Sequence, residues 1–313
     1  MIEFFKKLDK IIEEHDNIII IGHQNPDLDC IGSSIGLYKS IEKECYIFKT
    51  KDKLNNSTKN AFNEIKNINF VDKTNYKEKI KNTLLIITDL HKINLLEHKE
   101  ILKEIKDKVV IDHHIIGENK IEATLEYIDS TKSSATEIII EYLKFKNKKL
   151  DNISATIMLT GIEIDTNGYN MKTTKDTFLA SAYLMEQGAD NILKQNILKE
   201  NKDEYIKRTK QIEKSYLIKN NMICTIEDGI HNPSYLATLS EDLLRFENVE
   251  ASFTIAKLEG NKIGISARSL GNINVEKIMK KFGGGGHLTD AACQIENFNI
   301  KEVETELIKE LNK

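Results

Sequence analysis

The chain has 313 residues, which at roughly 100–200 residues per domain predicts two domains, each able to bury a core of its own. Apolar residues make up 40% and charged residues 30%, which excludes a disordered or fibrous chain. Lys+Arg 45 against Asp+Glu 49 leaves a net charge of −4, which argues against a protein that coats long nucleic acid. No apolar run approaches the roughly 18–20 residues that cross a bilayer, and no signal peptide opens the chain. The 4 cysteines (Cys30, Cys45, Cys224, Cys293) form no CxxC pair. That speaks against a disulfide framework and a thiolate zinc site, and for a reducing cytoplasm.

Phe4, Phe5, Leu8, Ile11 and Ile12 recur at helical spacing and predict an opening amphipathic helix. The β-branched run 17–22 (NIIIIG) predicts a buried parallel strand. A loop with Pro26 follows, then a helix over 31–42 and a strand over 45–48. Residues 83–88 (TLLIIT) predict a further buried strand, 95–105 a helix and 109–111 (VVI) another strand. Strands alternating with helices predict an α/β domain on a parallel sheet. From 133 to 216 the pattern is mostly helical, and the apolar stretch 153–164 reads as a buried helix or strand. The charged segment 201–217 reads as a helical connector. Beyond it, MICTIED, VEASFTIAKLE and NKIGISA alternate as strands, interleaved with helices over 235–245 and 275–282, and 301–311 closes the chain as a helix.

In an open parallel sheet, ligands bind beyond the carboxyl ends of the strands. This chain places His or Asp there three times: His23, Asp27 and Asp29 after the first strand, Asp89 after 83–88, and Asp112, His113 and His114 after 109–111. A single Asp after a strand is ordinarily a helix cap or turn residue. A lone histidine is ordinarily a surface or core residue, the reading given to His15, His91, His98 and His231. HxxxDxD and a tandem DHH are harder to read that way. Asp165 closes a fourth piece, TGIEIDTNG, either as a cap or as a ligand. If these tips converge, Asp27, Asp29, Asp89 and Asp165 bring carboxylates, and His23 and His113 bring imidazoles. Two divalent cations would neutralise them, one carboxylate bridging. Imidazole and carboxylate without thiolate favour Mn²⁺, with Fe, Co or Zn also open. Paired cations are the standard device for phosphoester hydrolysis.

Residues 283–286 gather four of the 15 glycines between a helix and an apolar AAC, with His287 following. Alone, GGGG could be a flexible linker; inside a domain it suits the close approach of a nucleotide phosphate or base. Arg268 in ISARSLGN is one of three arginines, with Arg208 and Arg245, in a lysine-rich chain. A guanidinium grips phosphate through two parallel hydrogen bonds, which an ammonium cannot copy.

GHQNPDLDCIGS, the Asp89 strand end, VVIDHH and GIEIDT together resemble the metal motifs of the DHH phosphoesterases, and ISARSLGNINVEKIMKKFGGGGHLTDAA resembles the phosphate-binding signature of their DHHA1 domain. The resemblance covers nearly the whole chain and is nearest to the catalytic module of GdpP-type cyclic-di-AMP phosphodiesterases. It implies an N-terminal parallel-sheet DHH domain over 1–190, a helical linker over 191–217 and a smaller α/β DHHA1 domain over 218–313, with the active site in the cleft between the domains. It implies one metal on His23, Asp27 and Asp89, and a second on Asp29, Asp89, His113 and Asp165. Asp112 would orient an imidazole, and His114 would face the scissile phosphate. Arg268, Gly284, Gly285, Gly286 and His287 would hold the far end of the nucleotide.

The expected reaction is Mn²⁺-dependent hydrolysis of cyclic di-AMP to pApA. The rivals are a nano-RNase and pAp phosphatase acting on pApA and short oligoribonucleotides, and a non-catalytic nucleotide sensor. The membrane helices, sensor domain and degenerate cyclase-like domain that precede this module in GdpP-type proteins are not in this sequence. It therefore reads as a stand-alone enzyme or an excised catalytic piece. The partner is a small nucleotide and the location cytoplasmic; a homodimer is compatible with the resemblance.

Overall fold

A computed structural model of the chain describes residues 1–49, 54–219, 221–286 and 288–313. His287 therefore lies outside the described residues. Two compact units result, Met1–Lys199 and Glu200–Lys313.

The first unit is built on six parallel strands: β1 (Asn17–Ile21), β2 (Glu44–Phe48), β3 (Phe70–Val71), β4 (Thr83–Thr88), β5 (Lys108–Asp112) and β6 (Leu125–Ile128). The continuous apolar runs follow from burial on both faces. Ile18 and Ile20 pack into one core with Leu84 and Ile86, whereas Ile19 and Ile21 pack into another with Leu85 and Ile87. The helices are α1 (Ile2–Glu13), α2 (Leu28–Ser40), α3 (Asn56–Glu64), α4 (Ile101–Glu104), α5 (Ala135–Phe145), α6 (Asn152–Asp165), α7 (Lys175–Glu186) and α8 (Asn191–Ile197). The helix expected over 95–105 is only the single turn α4, preceded by a 3₁₀ turn at Ile93–Leu95. The stretch 153–164 is helix, not strand, and Asp151 caps it by accepting the Ser154 N–H.

The strand order is β3-β2-β1-β4-β5-β6. The chain runs outward from β1 to one edge, then returns to start again at β4 on the other side. Such a reversal opens a crevice at the carboxyl ends of the two central strands. Register sharpens this: Ile21 lies opposite Ile87 and Thr88 opposite Ile111. His23 and Asp89, each two residues further on, emerge level with one another, and Asp112 emerges level with Asp89.

The second unit opens with α9 (Lys202–Glu213) and continues through β7 (Tyr216–Ile218), β8 (Met222–His231), α10 (Pro233–Leu243), β9 (Ala251–Leu258), β10 (Lys262–Ser269), α11 (Val275–Lys280), β11 (Gly285–Gly286), β12 (Asp290–Glu296) and α12 (Ile300–Leu311). Its sheet runs β11-β12-β10-β9-β8-β7, antiparallel except for the β8/β9 pair. Phe253, Ile255 and Ile265 meet Met279 and Leu307 in its core. Residues 191–217, expected as a connector, are divided: α8 falls in the first unit and α9 in the second. Arg208 and Gln211 account for this. The Arg208 guanidinium pairs with Asp242 (2.5 Å) and Glu200 (2.7 Å), and the Gln211 amide donates to Thr225 Oγ1 (2.7 Å).

Candidate active site

Asp89 sits at the end of β4, 3% exposed, with a backbone φ of 59°. A non-glycine residue in the left-handed region carries strain of order 1–3 kcal/mol, and such strain collects at functional sites. The conformation sets the two carboxylate oxygens against different neighbours. Oδ2 lies 3.4 Å from His23 Nε2, and Oδ1 lies 3.3 Å from His113 Nε2. Around His113 stand Asp165 Oδ2 at 3.0 Å and Asp29 Oδ2 at 3.8 Å. Asp27 Oδ2 lies 3.9 Å from His23 Nε2. The fold thus brings His23, Asp29, Asp89, His113 and Asp165 together, with Asp27 at the rim beside His23.

Each of these positions has a local cause. Asp27 caps α2: its Oδ1 accepts the N–H groups of Asp29 and Cys30, at 3.0 Å each. Asp29, fully buried, accepts the N–H groups of Ala135 (2.7 Å) and Thr136 (2.9 Å) at the start of α5. Helix N-termini favour a carboxylate there. Gly161 lets α6 come close enough to bring Asp165 in, because a Cβ at that position would meet Leu28 O at 2.7 Å and Asp29 Cα at 2.9 Å.

Compact donor groups form from Asp89, Asp112, His113 and His114, from Asp29, His113 and Asp165, and from His23, Cys30 and Asp89. Asp27 stands outside them. The residues fit a cation on two counts. Asp89 Oδ1 and His113 Nε2 are buried and make no hydrogen bond, a state that costs about 1–3 kcal/mol for each orphaned group. The buried carboxylates and imidazoles also crowd charge that, without a cation, protons alone must settle. Burial, with Asp165 and Asp89 beside it, pushes Asp29 well above the usual carboxylate range, and burial raises Asp165 as well. Burial by itself would lower His113, but Asp165 and Asp89 lift it well above the ordinary imidazole value. His23 is likewise lifted against its burial by Cys30, Asp27 and Asp89. Burial works to raise Asp89, and the His113 and His23 rings outweigh it and hold its carboxyl far down. Burial pushes the Cys30 thiol up.

Behind this cluster lies a feature that the isolated spacing of His91 concealed. His91, 1% exposed, bonds through Nδ1 to Asp112 Oδ2, while its Nε2 accepts the Gly117 N–H at 3.3 Å. Asp112 Oδ1 accepts His114 Nδ1–H at 2.7 Å and the His113 N–H at 2.8 Å. Burial would raise the Asp112 carboxyl, yet the bonds from His114 and His91 hold it below the usual range. It is therefore an acceptor, and both imidazoles donate from Nδ1. No sequence signal marked His91, which taken alone reads as a surface or core histidine.

In the second unit, Arg268 faces Asp290 across the β10/β12 pair. Its Nε lies 3.2 Å from Glu241 and 3.3 Å from Asp290, and Nη1 donates to Ala267 O at 3.1 Å. Gly284 and Gly286 have a steric reason to be glycine: a Cβ on either would meet the backbone of β12 at 2.2 Å, whereas Gly285 faces open space.

Comparison with known proteins places this architecture. Residues 17–162 match the DHH family, N-terminal domain, and residues 219–313 match the DHHA1 domain. The chain is 38% identical over 312 residues to the cyclic-di-AMP phosphodiesterase GdpP of Bacillus subtilis, covering 94% of this chain and 47% of that protein. It is 26% identical over 310 residues to the bifunctional oligoribonuclease and PAP phosphatase NrnA of Mycoplasma genitalium, covering 96% of this chain and 95% of that one. The chain spans about half the length of the curated cyclic-di-AMP phosphodiesterases it matches. In fold it is similar to the crystal structure of an exopolyphosphatase-related protein from Bacteroides fragilis, with a TM-score of 0.85 at 18% identity over 99% of this chain and 96% of that one. Among the described residues no helix is long and apolar enough to cross a membrane.

Proposed function

The chain belongs to the DHH family, with a DHHA1 domain after its DHH domain, and from that membership we propose that it is a metal-dependent phosphodiesterase hydrolysing cyclic di-AMP to pApA. The observation that carries the reading is the carboxylate of Asp89, whose two oxygens face His23 on one side and His113 on the other. In this reading His23, Asp27 and Asp89 would hold one cation, and Asp29, Asp89, His113 and Asp165 would hold a second. Two divalent ions, Mn²⁺ in our assignment, would neutralise phosphoryl charge and activate a water. The chain's own residues do the rest. Asp112 keeps the Nδ1 proton of His114 engaged, which leaves Nε2 as the atom that stabilises the phosphoryl charge or protonates the leaving 3′-oxygen. Arg268, with Gly284, Gly285, Gly286 and His287, would grip a distal phosphate. Glu241 and Asp290 hold the Arg268 guanidinium in place for that task. The four cysteines, all free and buried, suit the reducing cytoplasm we assign as its location.

A second reading, hydrolysis of pApA and pAp, is favoured by one observation: the oligoribonuclease and PAP phosphatase relative matches this chain over 95% of its own length. A time course of the purified chain with Mn²⁺ on cyclic di-AMP, pApA and pAp decides. Consumption of the cyclic dinucleotide with accumulation of pApA is expected. Rapid cleavage of pApA and pAp with the cyclic compound untouched assigns the second reading. Tight nucleotide binding without turnover, unchanged in the Asp112→Ala/His113→Ala double variant, marks a sensor instead.

A further inference from the structure

The outer face of α7 carries a pattern that its own unit does not use. Thr177, Ala180 and Leu184 bury the inner face of this helix. At about 100° per residue, Phe178, Leu179, Ala182 and Met185 fall on the opposite side. All four are exposed, Phe178 at 57%, Leu179 at 50% and Met185 at 43%. A surface helix ordinarily turns polar and charged residues to water there. A continuous apolar stripe rimmed by charge is instead the mark of a contact surface.

The rim points to the occupant. Lys175 opens α7 and Glu186 closes it, each at the end where the helix dipole disfavours its charge. Asp176, next to Lys175, is engaged by Lys132 at 3.5 Å within the chain. Lys175 and Glu186 form no ion pair among the described residues. An antiparallel copy of the same helix answers both charges, because Lys175 then faces Glu186 of the second copy. Phe178 faces Met185 in that arrangement, and Leu179 faces Ala182, large over small. The three pairs share one midpoint beside Ser181, so a single two-fold axis satisfies them together.

The aromatic anchor is already ordered in the single chain. The Phe178 ring stacks on Tyr169 at 5.5 Å with the planes 16° apart, and Tyr169 Oη meets Ser181 Oγ at 3.1 Å. Tyr169 holds that place with a φ of 65°, a conformation unusual for a bulky residue. A side chain fixed beforehand loses less entropy on association. We infer that two copies of the chain associate through α7, packed antiparallel about a two-fold axis at Ser181. A helix about 18 Å long makes a small interface, below about 1,200 Å² in total, so the association is reversible and depends on concentration.

None of the six contact residues is a proposed cation ligand, so association is read without any assay of turnover. Sedimentation velocity is recorded over a concentration series for the purified chain and for Leu179→Glu, Lys175→Glu, Glu186→Lys and the double exchange Lys175→Glu/Glu186→Lys. The unmodified chain is expected to pass from monomer to dimer, and Leu179→Glu to stay monomeric. Each single charge reversal turns two attractions into two repulsions and should weaken the dimer about tenfold. The double exchange restores the pairing and should return the dimer to its original strength. A chain that stays monomeric throughout overturns the inference, as does a dimer that survives Leu179→Glu. Failure of the double exchange to recover what the single reversals lose also overturns it. If Leu179→Glu does not fold, the three charge variants decide, since both positions are exposed.

Discussion

Asp89 combines burial, a left-handed backbone and two histidine neighbours in one residue, and these pull in opposite directions. Asp89→Gly releases the backbone strain and removes a carboxylate from a crowded cluster. The metal-free variant is expected to unfold within about 1 kcal/mol of the parent or above it, while the stabilisation by added Mn²⁺ disappears. Thermal denaturation with and without the ion reads both effects. His91 makes the opposite case. His91→Leu keeps the volume of the site but orphans Asp112 Oδ2, so a loss of about 1–3 kcal/mol is expected. Turnover should fall more than apparent affinity for the dinucleotide, because Asp112 then holds the His114 ring less firmly. A kcat unchanged in the folded variant would show that Asp112 does not need its second histidine.

Secondary-structure elements position these side chains, and their caps are separable from the chemistry. Asp151 caps α6, whose far end carries Asp165, and also meets Lys39 at 2.8 Å. Burial opposes ionisation of Asp151, but Lys39 and the Ser154 amide hold its carboxyl below the ordinary value. A carboxyl depressed in the folded state stabilises fully above its unfolded pKa, near 3.9, and loses that contribution as pH falls through the folded value. Asp151→Ala should therefore cost about 1 kcal/mol at neutral pH, a difference that closes below about pH 4 in a pH series of melting curves. Legibility in the sequence followed the same physics. The central strands β1, β4 and β5 announced themselves because burial on both faces demands unbroken apolar runs. The edge strands β3 and β6 did not: one is two residues long and the other, LEYI, is half-buried with a charge inside it, as edges that must resist pairing tend to be. The polar tips after β1, β4 and β5 were legible for the same reason as the strands. The nearness of Cys30 to His23 was not, because it depends on the empty side of Gly22, a relation that exists only once β1 and α2 are folded. His91 stood alone in the sequence and acquires meaning only through Asp112, twenty-one residues on.

At the scale of the whole chain, the two units carry separate cores, and every predicted cation ligand belongs to the first. Bound cations at a hundred times their Kd stabilise a fold by about 2.7 kcal/mol. Hydrogen exchange with and without Mn²⁺ is expected to slow the amides at the ends of β1, β4 and β5, and to leave those of β9 and β10 unchanged. Protection spread evenly over both units would contradict that placement.

The central pairing of the first sheet also governs how the chain reaches this state. Asn17 in β1 pairs with Glu44 in β2 on one side and with Thr83 in β4 on the other, so one edge of an unbroken isoleucine run must wait for a partner some sixty-six positions later. Contacts of such long range slow folding and leave sticky edges bare in the meantime. On a ribosome, the first strand emerges well before the segment that completes it, and recovery of active protein should depend on growth temperature and chaperone supply more steeply than the equilibrium stability alone suggests.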